Sequence, residues 1–191
     1  MADTEARGAE TREPAAAAGL RNWAIAALLA SAYTLSYVDR QILSLLVDPI
    51  KNSLAVSDTQ MGLLQGVGFS LFYVLASLPL ARLADTGRRS HVIAGCIATW
   101  SLMTALCGAA GSYFQLLLAR VGAAAAESGL PPAAMATLSD RYDRRMLAGA
   151  TSIFMLAPYV GGGIALGAGG ALFSALQTWD YSRIPLIGSL A

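Results

Sequence analysis

An apolar run from about Trp23 to Val47, WAIAALLASAYTLSYVDRQILSLLV, carries Asp39 and Arg40 side by side in its interior. About 20 consecutive apolar residues make a helix long enough to cross the hydrocarbon core of a bilayer. A charge at that depth costs at least ~2.5 kcal/mol on the most lenient insertion scale, so such side chains face a protein interior or a water-filled pathway. The run therefore predicts a membrane helix with one polar face. The Asp39–Arg40 pair on it is the first candidate for a binding or transport site.

Charged residues make up only 13% of the 191 residues and hydrophobic residues 55%, with a mean hydropathy of +0.54. A soluble domain carries roughly a quarter charged residues. The charges cluster between further apolar runs at about 60–81, 91–110, 113–138 and 148–176. The expected fold is an all-α membrane protein with five transmembrane helices over residues 22–176. A transmembrane β-barrel would show ~10-residue segments of alternating polarity, and none are present. Ser57 to Gln60 fits a capping box opening the second helix. Pro131-Pro132 predicts a kink in the fourth, because proline removes backbone donors and clashes with the preceding turn. Gly62, Gly66 and Ser70, like Gly163 and Gly167, repeat every fourth residue and predict close helix contacts.

Residues 1–21 mix acids and arginines without an apolar core and read as a disordered tail, not a signal peptide. Basic residues set the orientation. Arg7, Arg12 and Arg21, then Arg82, Arg88 and Arg89, then Arg141, Arg144 and Arg145 fall on one side; Lys51 and Arg183 fall on the other. The N-terminus is expected in the cytoplasm, and residues 177–191 on the extracytoplasmic side of a plasma (bacterial inner) membrane.

The net charge of +1 argues against nucleic acid as a partner. Cys96 and Cys107 sit ~16 Å apart along one helix, too far for a disulfide. With His91 the only histidine, neither a metal site nor any cofactor is expected, and little acid–base equipment is available for an enzyme.

Ionisable residues within the spans are Asp39, Arg40, Arg120 and Glu127. Arg120 and Glu127 are nearly two turns apart and share a helix face, which Tyr113 extends. On the first helix Tyr33, Tyr37, Arg40 and Ser44 follow helical spacing, with Asp39 ~100° away and Ser36 one turn before it. Counted from the outer helix ends at 1.5 Å per residue, Arg120 lies at ~10 Å depth, Asp39 at ~12 Å and Glu127 at ~21 Å. The two polar stripes are expected to face each other across a cavity, Asp39 near Arg120 and Arg40 reaching toward Glu127. Such carboxylates, desolvated yet beside arginines, suit sites that gain and lose protons. The alternative is a set of buried ion pairs that only sets helix register.

Loop residues 81–90, ARLADTGRRS, resemble the signature loop between the second and third helices of the major facilitator superfamily. Leu83, Ala84, Asp85 and Arg89 match it, whereas Ala81, Thr86 and Ser90 depart from it. Pro158-Tyr159-Val160-Gly161-Gly162 resembles the end of a motif associated with antiporters. Tyr37-Val38-Asp39-Arg40, the stretch Leu54 to Gln60, and Arg120 with Glu127 resemble the spinster-like group within that superfamily. The resemblance implies a proton-linked secondary transporter for a small organic or amphipathic, lipid-like solute, working by alternating access. It implies proton coupling at Asp39 and Glu127, and substrate or coupling contacts from Arg40, Arg120, Tyr33 and Tyr37. It places Asp85, Gly87, Arg88 and Arg89 in a cytoplasmic gate.

Members of the superfamily have two six-helix halves built from inverted three-helix repeats. Five spans make an incomplete N-terminal half. The expected partners are therefore the lipid bilayer, protons, the solute, and either a missing C-terminal half or a second copy of the chain. The chain alone is expected to be inactive. A non-transporting membrane subunit or regulator is the competing expectation.

Overall fold

A computed structural model describes residues 15–177 of the chain. Its helices are α1 (Ala15–Leu45), α2 (Val47–Leu54), α3 (Asp58–Gly62), α4 (Gly68–Thr86), α5 (Arg89–Gly108), α6 (Tyr113–Glu127), α7 (Leu130–Arg141), α8 (Arg144–Ile164) and α9 (Gly170–Gln177). There is no strand among the described residues. Wide π-turns at Leu63–Val67 and Ala165–Gly169 join α3 to α4 and α8 to α9 without interrupting the rods. The expected five-helix pattern is thus present, with two of its helices divided by π-turns and one broken.

Among the described residues, three stretches are long and apolar enough to cross a membrane: Asp58–Thr86, Arg89–Gly108 and Arg144–Leu172. α1 has the length, but Tyr33, Ser36, Tyr37, Asp39 and Arg40 dilute its apolar character. The fourth rod is split. α6 stops at Glu127 and α7 starts at Leu130, with Gly129 between and the prolines in the first turn of α7. The break falls just ahead of Pro131 and Pro132, because the first turn of a helix needs no N–H from them.

α1 begins at Ala15, so residues 15–21 of the expected tail are helical; Ala15 to Ala18, the strongest helix formers, account for that. Residues 1–14 and 178–191, which hold the rest of both expected tails, lie outside the described residues.

The link from α1 to α3 is built locally. Ala55 takes the left-handed conformation (φ 50°) that ends α2. Ser57 then caps α3: Gln60 N donates to Ser57 Oγ at 3.3 Å, and Ser57 N donates to Gln60 Oε1 at 2.9 Å. This is the expected capping box. Lys51 is hydrogen-bonded to Asp58 across the same turn, which holds its ammonium above the ordinary lysine range.

α1 packs chiefly on α8, and α6 receives both α4 and α5. The principal core joins Ala26 and Leu29 of α1 to Leu130, Ala134 and Leu138 of α7 and to Ala150 and Phe154 of α8. A second cluster gathers Leu43, Met61, Leu64 and Leu116 near the α2–α3 turn. Alanines at these contacts let the rods approach closely.

The glycines that permit close approach are not those the four-residue repeats single out. A Cβ at Gly62, Gly66, Gly163 or Gly167 would meet nothing within 4 Å. A Cβ at Gly161 would stand 2.5 Å from the Thr34 carbonyl oxygen of α1, and one at Gly129 would stand 2.5 Å from Cys96 Sγ. A spacing pattern identifies a small face but not whether another helix lies against it.

Candidate functional site

Two adjacent faces of α1 carry the site. Ser36 and Arg40, one turn apart, point the same way. Ser36 Oγ donates to Glu127 Oε2 at 2.9 Å, and Arg40 Nε donates to the same oxygen at 2.7 Å. Glu127 is 3% exposed and Ser36 1% exposed, so the pair is sealed from bulk solvent by protein. Ser36, which spacing alone groups with Asp39, instead serves Glu127. Glu127 is the last residue of α6, immediately before the break.

The Arg40 guanidinium carbon lies 4.9 Å from the Tyr37 ring centroid, 4.7 Å from Phe69 and 4.8 Å from Tyr73. Aromatic faces attract a cation, and do so more strongly when both are desolvated. Phe69 is shared, because Arg120 sits 4.6 Å from its centroid. The two arginines therefore share one ring.

Asp39 lies one residue and about 100° round the helix. Its Oδ2 approaches Arg120 Nη1 at 3.6 Å and accepts hydrogen bonds from Trp100 Nε1 at 3.2 Å and Thr104 Oγ1 at 3.1 Å. Arg120 is 5% exposed. Asp39, Thr104, Cys107 and Arg120 line a cavity of about 370 Å³ that reaches Ile50, Ser53 and Leu54 at the α2 end of the bundle.

Two carboxylates and two guanidiniums thus form two ion pairs between α1 and α6. Each carboxylate has its own cation, which offsets the desolvation that makes a lone buried charge so costly. Glu127 Oε1 and Arg120 Nε remain buried without a hydrogen-bond partner among the described residues. The arrangement can bind a polar group through those atoms. It can also release a cation when either carboxylate accepts a proton.

Tyr33 lies on the other flank of the polar stripe. It stacks on Phe154 of α8 at 4.7 Å and meets Tyr37 edge-on at 5.3 Å. Tyr113, grouped with Arg120 by spacing, sits at the far end of α6, where its hydroxyl donates to the Gln60 carbonyl at 3.1 Å.

At the opposite end of the bundle, Arg89 opens α5. It is ion-paired with Asp140 of α7 and donates to the carbonyls of Ala136 at 3.0 Å and Ala84 at 3.3 Å. Gly87 ends α4 and Arg88 precedes α5, both exposed. Asp85 is also exposed and, with Gly87, Arg89, Asp140 and Arg141, lines a cavity of about 760 Å³.

Sequence reasoning missed Phe69 and Tyr73 on α4, Trp100 and Thr104 on α5, and Asp140 on α7. The first two pairs have i, i+4 spacing, a signal visible in the sequence. Aromatic and threonine side chains are nevertheless ordinary in an apolar helix, and nothing local ties them to a charge.

Comparison with known proteins gives a consistent result. Residues 29–184 match the Major Facilitator Superfamily. The chain is 39% identical over 156 residues to the MFS-type efflux pump of Mycolicibacterium smegmatis (strain ATCC 700084 / mc(2)155), covering 82% of this chain and 36% of that protein. It is 32% identical over 170 residues to Protein spinster homolog 1 of Homo sapiens, covering 85% of this chain and 31% of that protein. Among solved structures, a bacterial homolog of the human lysosomal transporter Spinster superposes in its inward-facing unoccupied form with a TM-score of 0.76 at 40% identity, over 79% of this chain and 32% of that chain. The inward-facing occupied form gives 0.75 at 41% identity, over 80% and 32% of the two chains. The chain spans about a third of the length of these relatives.

Proposed function

Because the chain belongs to the major facilitator superfamily and is spinster-like, an integral multi-pass membrane protein, we propose that it is the N-terminal part of a proton-linked secondary transporter. Its solute is a small organic or amphipathic, lipid-like molecule, moved by alternating access. The five-helix unit over residues 22–176 works against a second half, supplied by further polypeptide or by a second copy, and is inactive alone. The end bearing Arg82, Arg88, Arg89, Arg141, Arg144 and Arg145 faces the cytoplasm of a bacterial inner membrane, following the basic-residue rule.

The observation that carries this reading is the pairing of Asp39 with Arg120 and of Arg40 with Glu127 between α1 and α6, inside the bundle. Ionisable side chains at bilayer depth mark proton relays and substrate pathways. In the proposed cycle, Asp39 takes a proton, its attraction for Arg120 falls, and that guanidinium becomes available to an anionic or polar group of the solute. Glu127 is the second carboxylate of the relay, released from Arg40 in the same way. Tyr33 and Tyr37 line the solute's approach. Asp85, Gly87, Arg88 and Arg89 form the cytoplasmic gate, with Asp140 holding Arg89.

The test joins this chain in frame to the C-terminal part of the mycobacterial relative and reconstitutes it in vesicles with an entrapped pH indicator. A fluorescent amphipathic dye serves as the solute probe. The expected result is dye movement that depends on the proton gradient, is lost in Asp39→Asn, and is absent with the chain alone. Gradient-dependent movement that survives Asp39→Asn removes the proton role from Asp39.

A further inference from the structure

We propose that the groove between α4, α5 and α6, open at the α4–α5 turn, binds one anionic phospholipid, with an acyl chain along the groove and the phosphate beside Arg82, Arg88 and His91. This site requires the bundle to lie in a membrane and does not depend on the proton reading above.

The groove holds about 700 Å³. Leu83 of α4 and His91 of α5 line it nearest the turn, and Thr99 of α5 and Gly122 of α6 lie at its far end. From His91 to Thr99 is ~12 Å of helix at 1.5 Å per residue. That approaches the depth of one leaflet, half of a hydrocarbon core ~30 Å thick. The groove is open because its residues are small. Ala76 and Ala125 face it with one carbon each, and a Cβ on Gly95, midway along its α5 wall, would meet nothing within 4 Å.

Lipid tails are as apolar as the groove walls, so burial alone does not choose one lipid over another. The headgroup does. Arg82 directly precedes Leu83, and Arg88 stands one turn ahead of His91. Both arginines are exposed, and neither guanidinium has a hydrogen-bond or ion-pair partner among the described residues. His91 is exposed, lines the groove, and offers a ring N–H in either protonation state. A guanidinium fork matches phosphate oxygens, and basic side chains at a membrane surface are drawn to anionic lipid.

The charge pattern singles out this groove from its neighbour. The cavity of about 760 Å³ at the same end is lined by Asp85 and Asp140 as well as Arg89 and Arg141, and Arg89 is already paired with Asp140. No residue lining the α4–α6 groove is acidic. An anionic headgroup therefore meets opposed charges at the first and cations alone along the second.

Native mass spectrometry of the detergent-purified chain, titrated with dioleoyl phosphatidylglycerol or dioleoyl phosphatidylcholine, counts bound lipids one at a time. The first phosphatidylglycerol is expected to bind at least five-fold more tightly than the first phosphatidylcholine, the factor one basic residue contributes near an anionic surface, roughly 1 kcal/mol. Arg82→Gln with Arg88→Gln is expected to remove that preference. Arg144→Gln with Arg145→Gln, which takes equal charge from exposed positions at the start of α8, is expected to keep it. Gly95→Leu, whose side chain enters open space in the groove, is expected to weaken both lipids about ten-fold. Thr99→Leu fills the far end and decides that point if Gly95→Leu does not insert. Equal affinity for the two lipids, an equal loss of preference in the α8 variant, or phosphatidylglycerol binding untouched by the groove-filling variant overturns the site. Each of these results leaves the role of Asp39 where it stands.

Discussion

Arg40 and Glu127 meet at a single oxygen: Arg40 Nε and Nη2 each lie 2.7 Å from Glu127 Oε2. Asp39, the residue before Arg40, turns to a different helix and a different cation. Two neighbours in sequence thereby serve two separate pairs, because one residue is ~100° of helix rotation. The Arg40–Glu127 pair ties α1 to the end of α6, where the fourth rod breaks.

Removing one member of that pair leaves a buried charge uncompensated, which costs about 3–5 kcal/mol. Glu127→Ala is therefore expected to lower the thermal unfolding midpoint of the detergent-solubilised chain sharply. The double change Arg40→Met with Glu127→Leu is expected to recover most of the loss, since apolar replacements of similar volume are often neutral. A double variant no more stable than Glu127→Ala contradicts a simple charge-pair account.

Gly161 and Gly162 are adjacent and should respond oppositely to alanine. A Cβ at Gly161 meets the Thr34 carbonyl oxygen at 2.5 Å and Tyr37 Cβ at 2.9 Å, whereas one at Gly162 meets nothing within 4 Å. Gly161→Ala must push α1 away from α8, at a cost of about 1–3 kcal/mol for overpacking. Gly162→Ala is expected to be neutral or slightly stabilising. Denaturation of the two variants side by side gives the comparison, and equal midpoints would remove Gly161 as the contact point.

Phe154 is fully buried and stacked on Tyr33. Its truncation to alanine is expected to cost about 3–5 kcal/mol. Tyr159, five residues on along α8 and 78% exposed, is expected to tolerate alanine within about 0.5 kcal/mol. Protease resistance of the two variants in the same detergent distinguishes them.

Arg89 reaches two backbone carbonyls and Asp140 with one guanidinium. A lysine has one compact ammonium in place of that planar fork. Arg89→Lys is expected to lower stability by about 1–3 kcal/mol through the carbonyls left short of donors. Exposed Arg88→Lys is expected to leave it unchanged. Hydrogen exchange at the α4–α5 turn reads the difference locally, and equal protection in both variants counts against the bridging role of Arg89.

Most of the helical plan was legible because it is written in local chemistry. The apolar runs locate the rods, although α1 starts eight residues before its run; Ser57 and Gln60 cap α3 as their spacing requires, and Pro131-Pro132 announce the break in the fourth rod. The four intramembrane charges were also visible, because an ionisable residue in an apolar run is conspicuous wherever it sits. Lateral contact left no such mark. Gly161 and Gly62 look alike in sequence, yet only the first has a helix against it. Ser36 lies within a turn of both Asp39 and Arg40, and only the packing of α1 on α6 assigns it to Glu127.

The sequence by itself determined that this is a membrane chain of apolar helices bearing four interior charges, because hydropathy and helical period act over neighbouring residues. Tertiary structure alone decided which oxygen meets which nitrogen, that Phe69 contacts both arginines, and that Trp100 and Thr104 reach Asp39 from α5. Those contacts join residues tens of positions apart. They depend on helix rotation and translation, which are set by the summed packing of many small side chains and by no local signal.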